Sequence, residues 1–387
     1  MLNRRSFLGR ASAALVAAPL ISAALSDRAF AATGTLPMTI VNNSGSYANG
    51  QINFYVVGTD LGSGKQAYMA PDGTLTPVSL SLNGSDGFAD LSVPLAGSGN
   101  TNFSLPANMS GRVYFSMGDK LKFKVVTDGN GNAALQYPAG WVSGDPSYNV
   151  LHDFFEFTHN DSGMFCNSTM VDQFAIPLAV NLVGAQNQTV GQLKDGGRNA
   201  IFQAVAAQTD FSGLIVPNNL RIIAPGHGID TGVFAATYYD SYVDQVWSQY
   251  ASSTLTVNTG TATYTGQVSG DQFTFSGGVA PFSKPKTLDI FYCNGALAAP
   301  NDGVTGPVAA ILAAGFNRST LLTQSTQPGT DAGTFYQNAP TNYYSKAIHD
   351  QMVDGKAYGF PFDDVAGFAS YVQDNAPTQC TLTLTAF

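Results

Sequence analysis

The chain has 387 residues, of which 44% are hydrophobic and only 11% charged, a content that excludes a disordered protein. Its formal net charge of −9 argues against binding to nucleic acid or to an anionic lipid surface, since both need a basic face. Low charge combined with 41 Gly and abundant Thr, Ser, Asn and Tyr is typical of a β-rich extracellular protein.

The first 31 residues are predicted to be a secretory signal. The Arg4-Arg5 pair is followed by Phe7-Leu8, by the apolar run of residues 11–25, and by Ala29-Phe-Ala31, an order that resembles a bacterial twin-arginine signal cleaved near Ala31. The alternative is a membrane anchor, but the run of about 15 residues is shorter than the roughly 20 of a spanning helix. We therefore expect a secreted mature protein, extracellular or periplasmic, with no membrane attachment.

Residues 35–180 are predicted to form strands almost throughout. Alternating or continuous apolar runs rich in β-branched and aromatic residues are separated by turns rich in Gly, Asn and Asp. Short strands at this spacing favour a sandwich or barrel. The clearest strands cover residues 36–42, 51–58, 112–116 and 121–126.

The pattern changes after about residue 185, where helical spacing alternates with short strands. Residues 186–285 are therefore predicted to be a small mixed α/β domain. Its helices are expected over residues 191–207 and 238–250, and its strands over 220–224, 254–258 and 272–276.

From residue 286 the pattern predicts a return to the β-domain, which then comprises residues 32–185 and 286–387. A strand is expected over 287–293, and the alternating run 380–387 is expected to pair with the first sheet. A cleft between the two domains would be the default ligand site. Two further helices are predicted, over residues 307–316 and 343–353.

Three cysteines, Cys166, Cys293 and Cys380, allow at most one disulfide within the chain. Cys293 and Cys380 are the predicted pair, because both lie in strand-like runs. The chain has no Cys-x-x-Cys or His-x-x-x-His spacing, so we expect no metal site from these residues.

Two acidic residues in strand-like runs are the candidate catalytic groups. Over residues 150–160, Glu156 shares one strand face with Thr158, and over residues 169–177, Asp172 stands among apolar neighbours. The connection is short, so the two strands are predicted to be neighbours with both carboxylates facing one cavity. Two such carboxylates are the minimum equipment for glycoside hydrolysis. The alternative for Glu156 is the solvated face of an edge strand.

At these residues the chain resembles glycoside hydrolase family 64, whose members are bacterial and fungal β-1,3-glucanases, including laminaripentaose-producing enzymes. In that family a Glu and an Asp sixteen positions apart form the catalytic pair, which is the spacing of Glu156 and Asp172. The resemblance covers residues 36–387 and is carried by Phe154-Phe-Glu-Phe-Thr-His-Asn, Asn167-Ser-Thr-Met-Val-Asp-Gln-Phe-Ala-Ile-Pro, Phe291-Tyr-Cys-Asn-Gly-Ala-Leu, Gly315-Phe-Asn-Arg-Ser-Thr-Leu and Ala357-Tyr-Gly-Phe-Pro-Phe-Asp-Asp-Val-Ala-Gly.

The resemblance implies a mainly β fold, with a thaumatin-like β-barrel or sandwich domain and an inserted α/β domain flanking a wide groove. It implies an endo-acting β-1,3-glucanase of inverting mechanism, with Glu156 as general acid and Asp172 as general base. Inversion places the two carboxyl groups roughly 6.5–9.5 Å apart. The implied substrate is a neutral β-1,3-glucan of the laminarin or curdlan type, and the implied product is laminaripentaose. We expect a monomer that needs no cofactor, and a non-catalytic glucan-binding protein is the alternative.

Seven further residues are candidate substrate contacts: Thr158, His159, Asn160, Phe165, Thr169, Asp363 and Asp364. Phe165 stands where the family pattern leads us to expect a Trp platform. His159 has the alternative of a solvated loop residue, and the two aspartates have the alternative of holding a turn. His227, in Pro225-Gly-His-Gly, is expected to be a turn residue without an evident partner.

Overall fold

The computed structural model describes residues 34–387, so the predicted signal over residues 1–31 lies outside the described residues. Over this described part of the chain, no helix combines the length and apolar character needed to cross a membrane.

Strands dominate the described residues, as expected from the composition. The strands are β1 (Leu36–Asn42), β2 (Ile52–Asp60), β3 (Gln66–Met69), β4 (Leu75–Pro77), β5 (Val93–Pro94), β6 (Thr101–Leu105), β7 (Met109–Met117), β8 (Lys124–Thr127), β9 (Ala133–Gln136), β10 (Leu151–Asn160), β11 (Gly163–Asn167), β12 (Gln173–Phe174), β13 (Leu178–Val183), β14 (Asn187–Val190), β15 (Ile222–Ile223), β16 (Leu255–Asn258), β17 (Thr263–Ser269), β18 (Gln272–Phe275), β19 (Phe282–Ser283), β20 (Thr326–Gln327), β21 (Tyr371–Asp374) and β22 (Gln379–Leu384). The α-helices are α1 (Gly197–Ala206), α2 (Pro225–Thr231), α3 (Asp240–Tyr250), α4 (Thr287–Tyr292), α5 (Thr305–Asn317) and α6 (Tyr343–Gln351).

Two sheets enclose the first hydrophobic core. A five-stranded sheet has the order β14-β13-β22-β1-β6, and an eight-stranded sheet has the order β21-β11-β10-β7-β2-β3-β4, with β5 paired to β2. Apolar side chains from both sheets, such as Ile40, Phe155 and Leu382, form one buried cluster. The last strand, β22, pairs in parallel with β1, which confirms the predicted return of the C-terminal run to the first sheet.

The helices enclose a second core together with a five-stranded sheet of order β19-β18-β17-β16-β20. Helix α3 buries Tyr242, Val243, Val246 and Trp247 at helical spacing, as predicted. Helices α5 and α6 also lie where the sequence predicts them. Residues 287–360 contribute to this second core, as Ile290, Phe316 and Tyr344 show. The division of the chain into domains stays a prediction.

The predicted strand over 287–293 is wrong, because these residues form helix α4. The apolar positions of the run Thr287-Leu-Asp-Ile-Phe-Tyr fit both a strand and a helix. The helix buries Thr287, Ile290 and Phe291 on one face. The N–H of Lys286 donates to Asp289 Oδ2 at 3.0 Å, which supports the helix start. Here tertiary burial decided between the two periods.

Two further predicted elements are shorter than expected. Of residues 169–177 only Gln173–Phe174 form a strand, and Asp172 lies in a bend before it rather than on a neighbour of β10. The helix expected from residue 191 begins at Gly197.

The predicted pairing of Cys293 with Cys380 is also wrong, since the three cysteines are free and buried. Cys293 lies in the helical core, whereas Cys380 and Cys166 lie in the core between the two sheets. Packing in different cores separates the predicted partners.

Candidate active site

The outer face of the eight-stranded sheet carries Glu156. Phe155 and Phe157 point into the core, so Glu156 and Thr158 lie on the opposite face of β10, as the alternation predicts. Across the ladder, Glu156 is paired with Arg112 on β7 and with Asn167 on β11. This register places a cation directly beside the carboxylate.

Arg112 bridges Glu156 and Asp172, which we call the carboxylate pair. Its Nε and Nη2 lie 3.0 and 2.8 Å from Glu156 Oε1, and Nη2 also lies 3.0 Å from Asp172 Oδ2. The guanidinium sits over the Phe154 ring, 4.0 Å from its centroid, and donates to the Tyr114 hydroxyl at 3.3 Å. The two carboxylates therefore lie close together, as predicted, and the bridging arginine is a residue that the sequence analysis missed.

The surroundings of Asp172 favour its ionised form. Burial alone raises the pKa of Asp172, but Arg112 and a hydrogen bond from His227 lower that pKa well below its usual range. Burial lowers the pKa of Arg112, but its neighbours Tyr114, Glu156 and Asp172 outweigh burial and raise that pKa well above its ordinary value. Asp172 is therefore ionised at neutral pH.

A short pair of strands brings Asp172 to this face. Strand β12 pairs antiparallel with β15, and the N–H of Ala224 donates to the carbonyl of Asp172 at 3.0 Å. Asp172 directly precedes β12, and helix α2 begins two residues after β15. The pairing therefore sets the first turn of α2 against Asp172.

His227 in α2 contacts Asp172, so the expectation of a turn residue without a partner is wrong. Its Nε2 donates to Asp172 Oδ1 at 2.9 Å, and its Nδ1 lies 2.9 Å from the Tyr292 hydroxyl. The Trp141 ring stacks on the imidazole, with the centroids 3.9 Å apart and the planes 9° from parallel. A glycine-flanked histidine was the available sequence signal, but its partners are far away in the chain.

Several predicted substrate contacts lie on the same face as Glu156. Thr158 and Phe165 are opposite each other on β10 and β11, and both are half-buried. Thr158 Oγ1 lies 2.8 Å from Ser110 Oγ, which orients that hydroxyl. Asn160 ends β10, and its side chain caps the turn by accepting from the Ser162 N–H at 2.8 Å.

Thr169 is buried and stands beside Tyr358 in an isolated parallel bridge. Burial raises the pKa of the Tyr358 hydroxyl well above its usual value, and the charges of Asp364 and Glu156 raise it further. Asp364, Tyr358 and Glu156 therefore share one electrostatic environment. Asp364 is half-buried, burial raises its pKa to about 6, and its Oδ1 has no hydrogen-bond partner among residues 34–387.

His159 and Asp363 are placed away from this face, which corrects both predicted contacts. His159 alternates inward on β10, is 2% exposed, and has its Nδ1 3.2 Å from the Pro106 carbonyl. Asp363 is fully buried and binds Arg318 at 3.1 Å and His349 at 2.9 Å, with further bonds from Ser345 and the Gly359 N–H. Its oxygens are engaged inside the protein, so it holds the 357–367 loop.

No group of three or more His, Cys, Asp or Glu side chains within residues 34–387 is arranged to hold a metal ion. The side chains that contact one another at this candidate site are two carboxylates, one arginine and one histidine. Acting on a water molecule, a carboxylate pair can supply a general acid and a general base, which is the chemistry of glycoside hydrolysis.

Comparison with known proteins identifies the family. The family model of glycoside hydrolase family 64, described as β-1,3-glucanase, matches residues 34–384. Two curated relatives named glucan endo-1,3-β-glucosidase, from Cellulosimicrobium cellulans and from Arthrobacter sp. (strain YCWD3), are each 38% identical over the whole chain and 72% of their own length.

Two solved structures of β-1,3-glucanases are similar to this chain. A laminaripentaose-producing β-1,3-glucanase in complex with laminaritetraose is 37% identical, with a TM-score of 0.83 over 91% of this chain and 99% of that one. A family 64 β-1,3-glucanase domain from Clostridium beijerinckii is 29% identical, with a TM-score of 0.80 over 92% of this chain and 99% of that domain. The chain belongs to glycoside hydrolase family 64, and the predicted mainly β fold is confirmed.

Proposed function

We propose that this glycoside hydrolase is a secreted, endo-acting β-1,3-glucanase that cleaves laminarin- or curdlan-type glucan into short oligosaccharides, with laminaripentaose as a main product. The observation that carries the proposal is the Arg112 bridge, which places Glu156 and Asp172 together on one face. The names of the relatives, among them a laminaripentaose-producing enzyme, support the substrate and the product. A neutral polymer suits a chain of net charge −9.

The proposed reaction is an inverting hydrolysis. Glu156 gives its proton to the glycosidic oxygen as the bond to the anomeric carbon breaks, and Asp172 takes a proton from the water whose oxygen attacks that carbon. Both Arg112 contacts to Glu156 use Oε1, which leaves Oε2 to carry the proton that is transferred. Asp172 suits the base because Arg112 and His227 keep it ionised.

The nearest oxygens of the pair are close together. Glu156 Oε1 and Asp172 Oδ2 contact the same nitrogen at 2.8 and 3.0 Å, so these two oxygens are separated by less than the sum of the two lengths. The roughly 6.5–9.5 Å that inverting enzymes leave for the water is the separation of the whole carboxyl groups. The anomer of the first product therefore tests whether the reaction inverts.

The test incubates the mature protein with curdlan, laminarin, lichenan and carboxymethylcellulose, beside Glu156→Gln and Asp172→Asn. We expect short β-1,3 oligosaccharides from the wild type alone, with the α-anomer appearing first in proton NMR. Lys120→Met is the matched control, because Lys120 pairs with Asp90 on the surface. Activity in both carboxylate variants would refute the pair, and a β-anomer product would refute inversion. Binding to curdlan without cleavage would favour a non-catalytic glucan-binding protein.

We further propose that the chain is exported with cleavage near Ala31, that the mature form is a monomer, and that its two domains resemble the thaumatin-like arrangement. The order of the twin-arginine pair and the apolar run supports export. Protein sequencing of the exported N-terminus and size-exclusion chromatography test the first two statements.

A further inference from the structure

A chain of hydrogen bonds runs behind Asp172 to the protein surface. His227 Nε2 lies 2.9 Å from Asp172 Oδ1, and His227 Nδ1 lies 2.9 Å from the Tyr292 hydroxyl. That hydroxyl donates to Asp230 Oδ2 at 2.7 Å, and Asp230 is exposed. None of the proton transfers in the proposed hydrolysis uses His227, Tyr292 or Asp230.

The surroundings of the imidazole are built to hold it. Trp141 stacks on one face of the His227 ring at 3.9 Å, and the His227 side chain is only 12% exposed. Gly226 lets the Tyr292 ring approach, since a Cβ at this position would lie 2.8 Å from Tyr292 Cε1. A larger residue in place of Gly226 would displace the ring whose hydroxyl reaches His227.

The contact with Asp172 requires a hydrogen on His227 Nε2, because a carboxylate only accepts hydrogen bonds. The Nδ1 of the same ring contacts the Tyr292 hydroxyl, so both ring nitrogens are engaged. These two contacts and the Trp141 ring fix the orientation of the imidazole.

We propose that His227 is a positioning residue for the hydrolysis, which fixes Asp172 Oδ1 while Arg112 holds Oδ2. This inference rests on the proposed role of Asp172 as the base. The other titratable groups that act on Asp172 are Arg112, Tyr114, Glu156 and Tyr344. Arg112 and His227 contact Asp172 on its two separate oxygens.

Because Arg112 and His227 each hold one oxygen of Asp172, losing His227 should change the kinetics. A base that has lost one of its two anchors samples orientations in which the attacking water is misplaced, and a misplacement of about 1 Å costs about 10²-fold in rate. Losing a hydrogen-bond donor to the ionised form also raises the pKa of a carboxyl group, here by about 1 pH unit. His227 therefore affects kcat more than KM, and it affects the acidic limb of the rate profile.

The kinetic test compares wild type, His227→Ala, His227→Gln and Tyr292→Phe on laminarin across the pH range. For His227→Ala we expect kcat about 10²-fold lower and the acidic limb of kcat/KM about 1 pH unit higher. His227→Gln retains an amide donor, so its kcat and its acidic limb should lie between those of His227→Ala and wild type. The same variant tests the inference if His227→Ala does not fold. Tyr292→Phe keeps the ring beside Gly226 and should shift the limb in the same direction by less. Tyr264→Phe, in the distant sheet at β17, is the control.

A second measurement does not depend on turnover. A double-mutant cycle of His227→Ala and Asp172→Asn, read by urea unfolding, should give a coupling of about tenfold in the unfolding constant. An absent coupling, or a His227→Ala profile that coincides with that of an active wild type, overturns the inference. A wild type that cleaves no glucan while the coupling is present refutes the proposed function and leaves the contact with Asp172 standing.

Discussion

Replacing Arg112 by Met is the sharpest test of the bridge. The substitution keeps an unbranched side chain over the Phe154 ring but removes the charge that contacts both members of the carboxylate pair. Glu156 and Asp172 would then face each other without a shared counter-ion. We expect the folded state to lose stability and the pKa of Asp172 to rise, because burial and the charge of Glu156 both favour its protonated form.

The size of the effect follows from burial. The side chains of Arg112, Asp172 and Glu156 are 13%, 10% and 25% exposed, so solvent screens the bridge only partly. Removing one partner from such a buried ion pair costs about 3–5 kcal/mol of unfolding free energy. The exposed pair Lys120 and Asp90 has side chains that are 54% and 60% exposed, and losing it should cost less than about 1 kcal/mol.

The pH dependence has a definite sign. The pKa of Asp172 is lowered in the folded wild type, so its contribution is present above the unfolded pKa and is lost as pH falls through the folded value. The variant protonates Asp172 at higher pH. The stability difference between wild type and Arg112→Met should therefore be largest near about pH 7 and should shrink as pH falls through the raised pKa of the variant, a decrease that should have begun by about pH 4.

Urea unfolding of wild type, Arg112→Met and the control Lys120→Met at these two pH values measures both quantities. Circular dichroism at each pH confirms that the variants are folded before unfolding. A loss below about 1 kcal/mol for Arg112→Met at neutral pH, or a loss that does not change with pH, would refute the inference that Arg112 holds the pair together.

Three further predictions concern the surrounding structure. Gly226→Ala should lower both the melting temperature and kcat, because the new Cβ would meet the Tyr292 ring at 2.8 Å; wild-type values for both would contradict the close packing. His349→Gln should cost about 3–5 kcal/mol below about pH 6 by removing the buried partner of Asp363. Asp363 outweighs burial and raises the pKa of His349, so this difference should shrink as pH rises through the raised value, and a difference that grows with pH would contradict it. Cys166, Cys293 and Cys380 are buried, so a thiol reagent should label them only after the protein is unfolded. Rapid labelling of the native protein would contradict their burial.

The strand bearing Glu156 could be predicted because its local pattern has one physical solution. Alternation over β10 sends Phe155 and Phe157 to the core and Glu156 and Thr158 to the opposite face whatever the strand pairs with. Residues 287–292 had no such single solution, since their apolar positions fit a strand and a helix, and packing in the second core selected the helix.

The contacts within the candidate site could not be predicted from spacing along the sequence. Glu156 and Asp172 could be named from a spacing of sixteen residues and a family resemblance, but Asp172 reaches the site from a bend, through the β12–β15 pairing. Arg112 precedes Glu156 by 44 positions, and His227 follows Asp172 by 55. No local period reports such partners, because long-range strand register and helix placement bring them together.

The sequence by itself determined the mainly β class and the face of β10 that carries Glu156, because these depend on local alternation and on burial of apolar side chains. Only the tertiary structure decided which groups hold the carboxylate pair. It joined Arg112 from one strand with His227 from a short helix on the two oxygens of Asp172. The charge state of a buried carboxylate depends on the ions within a few ångströms, and those distances exist only in the folded chain.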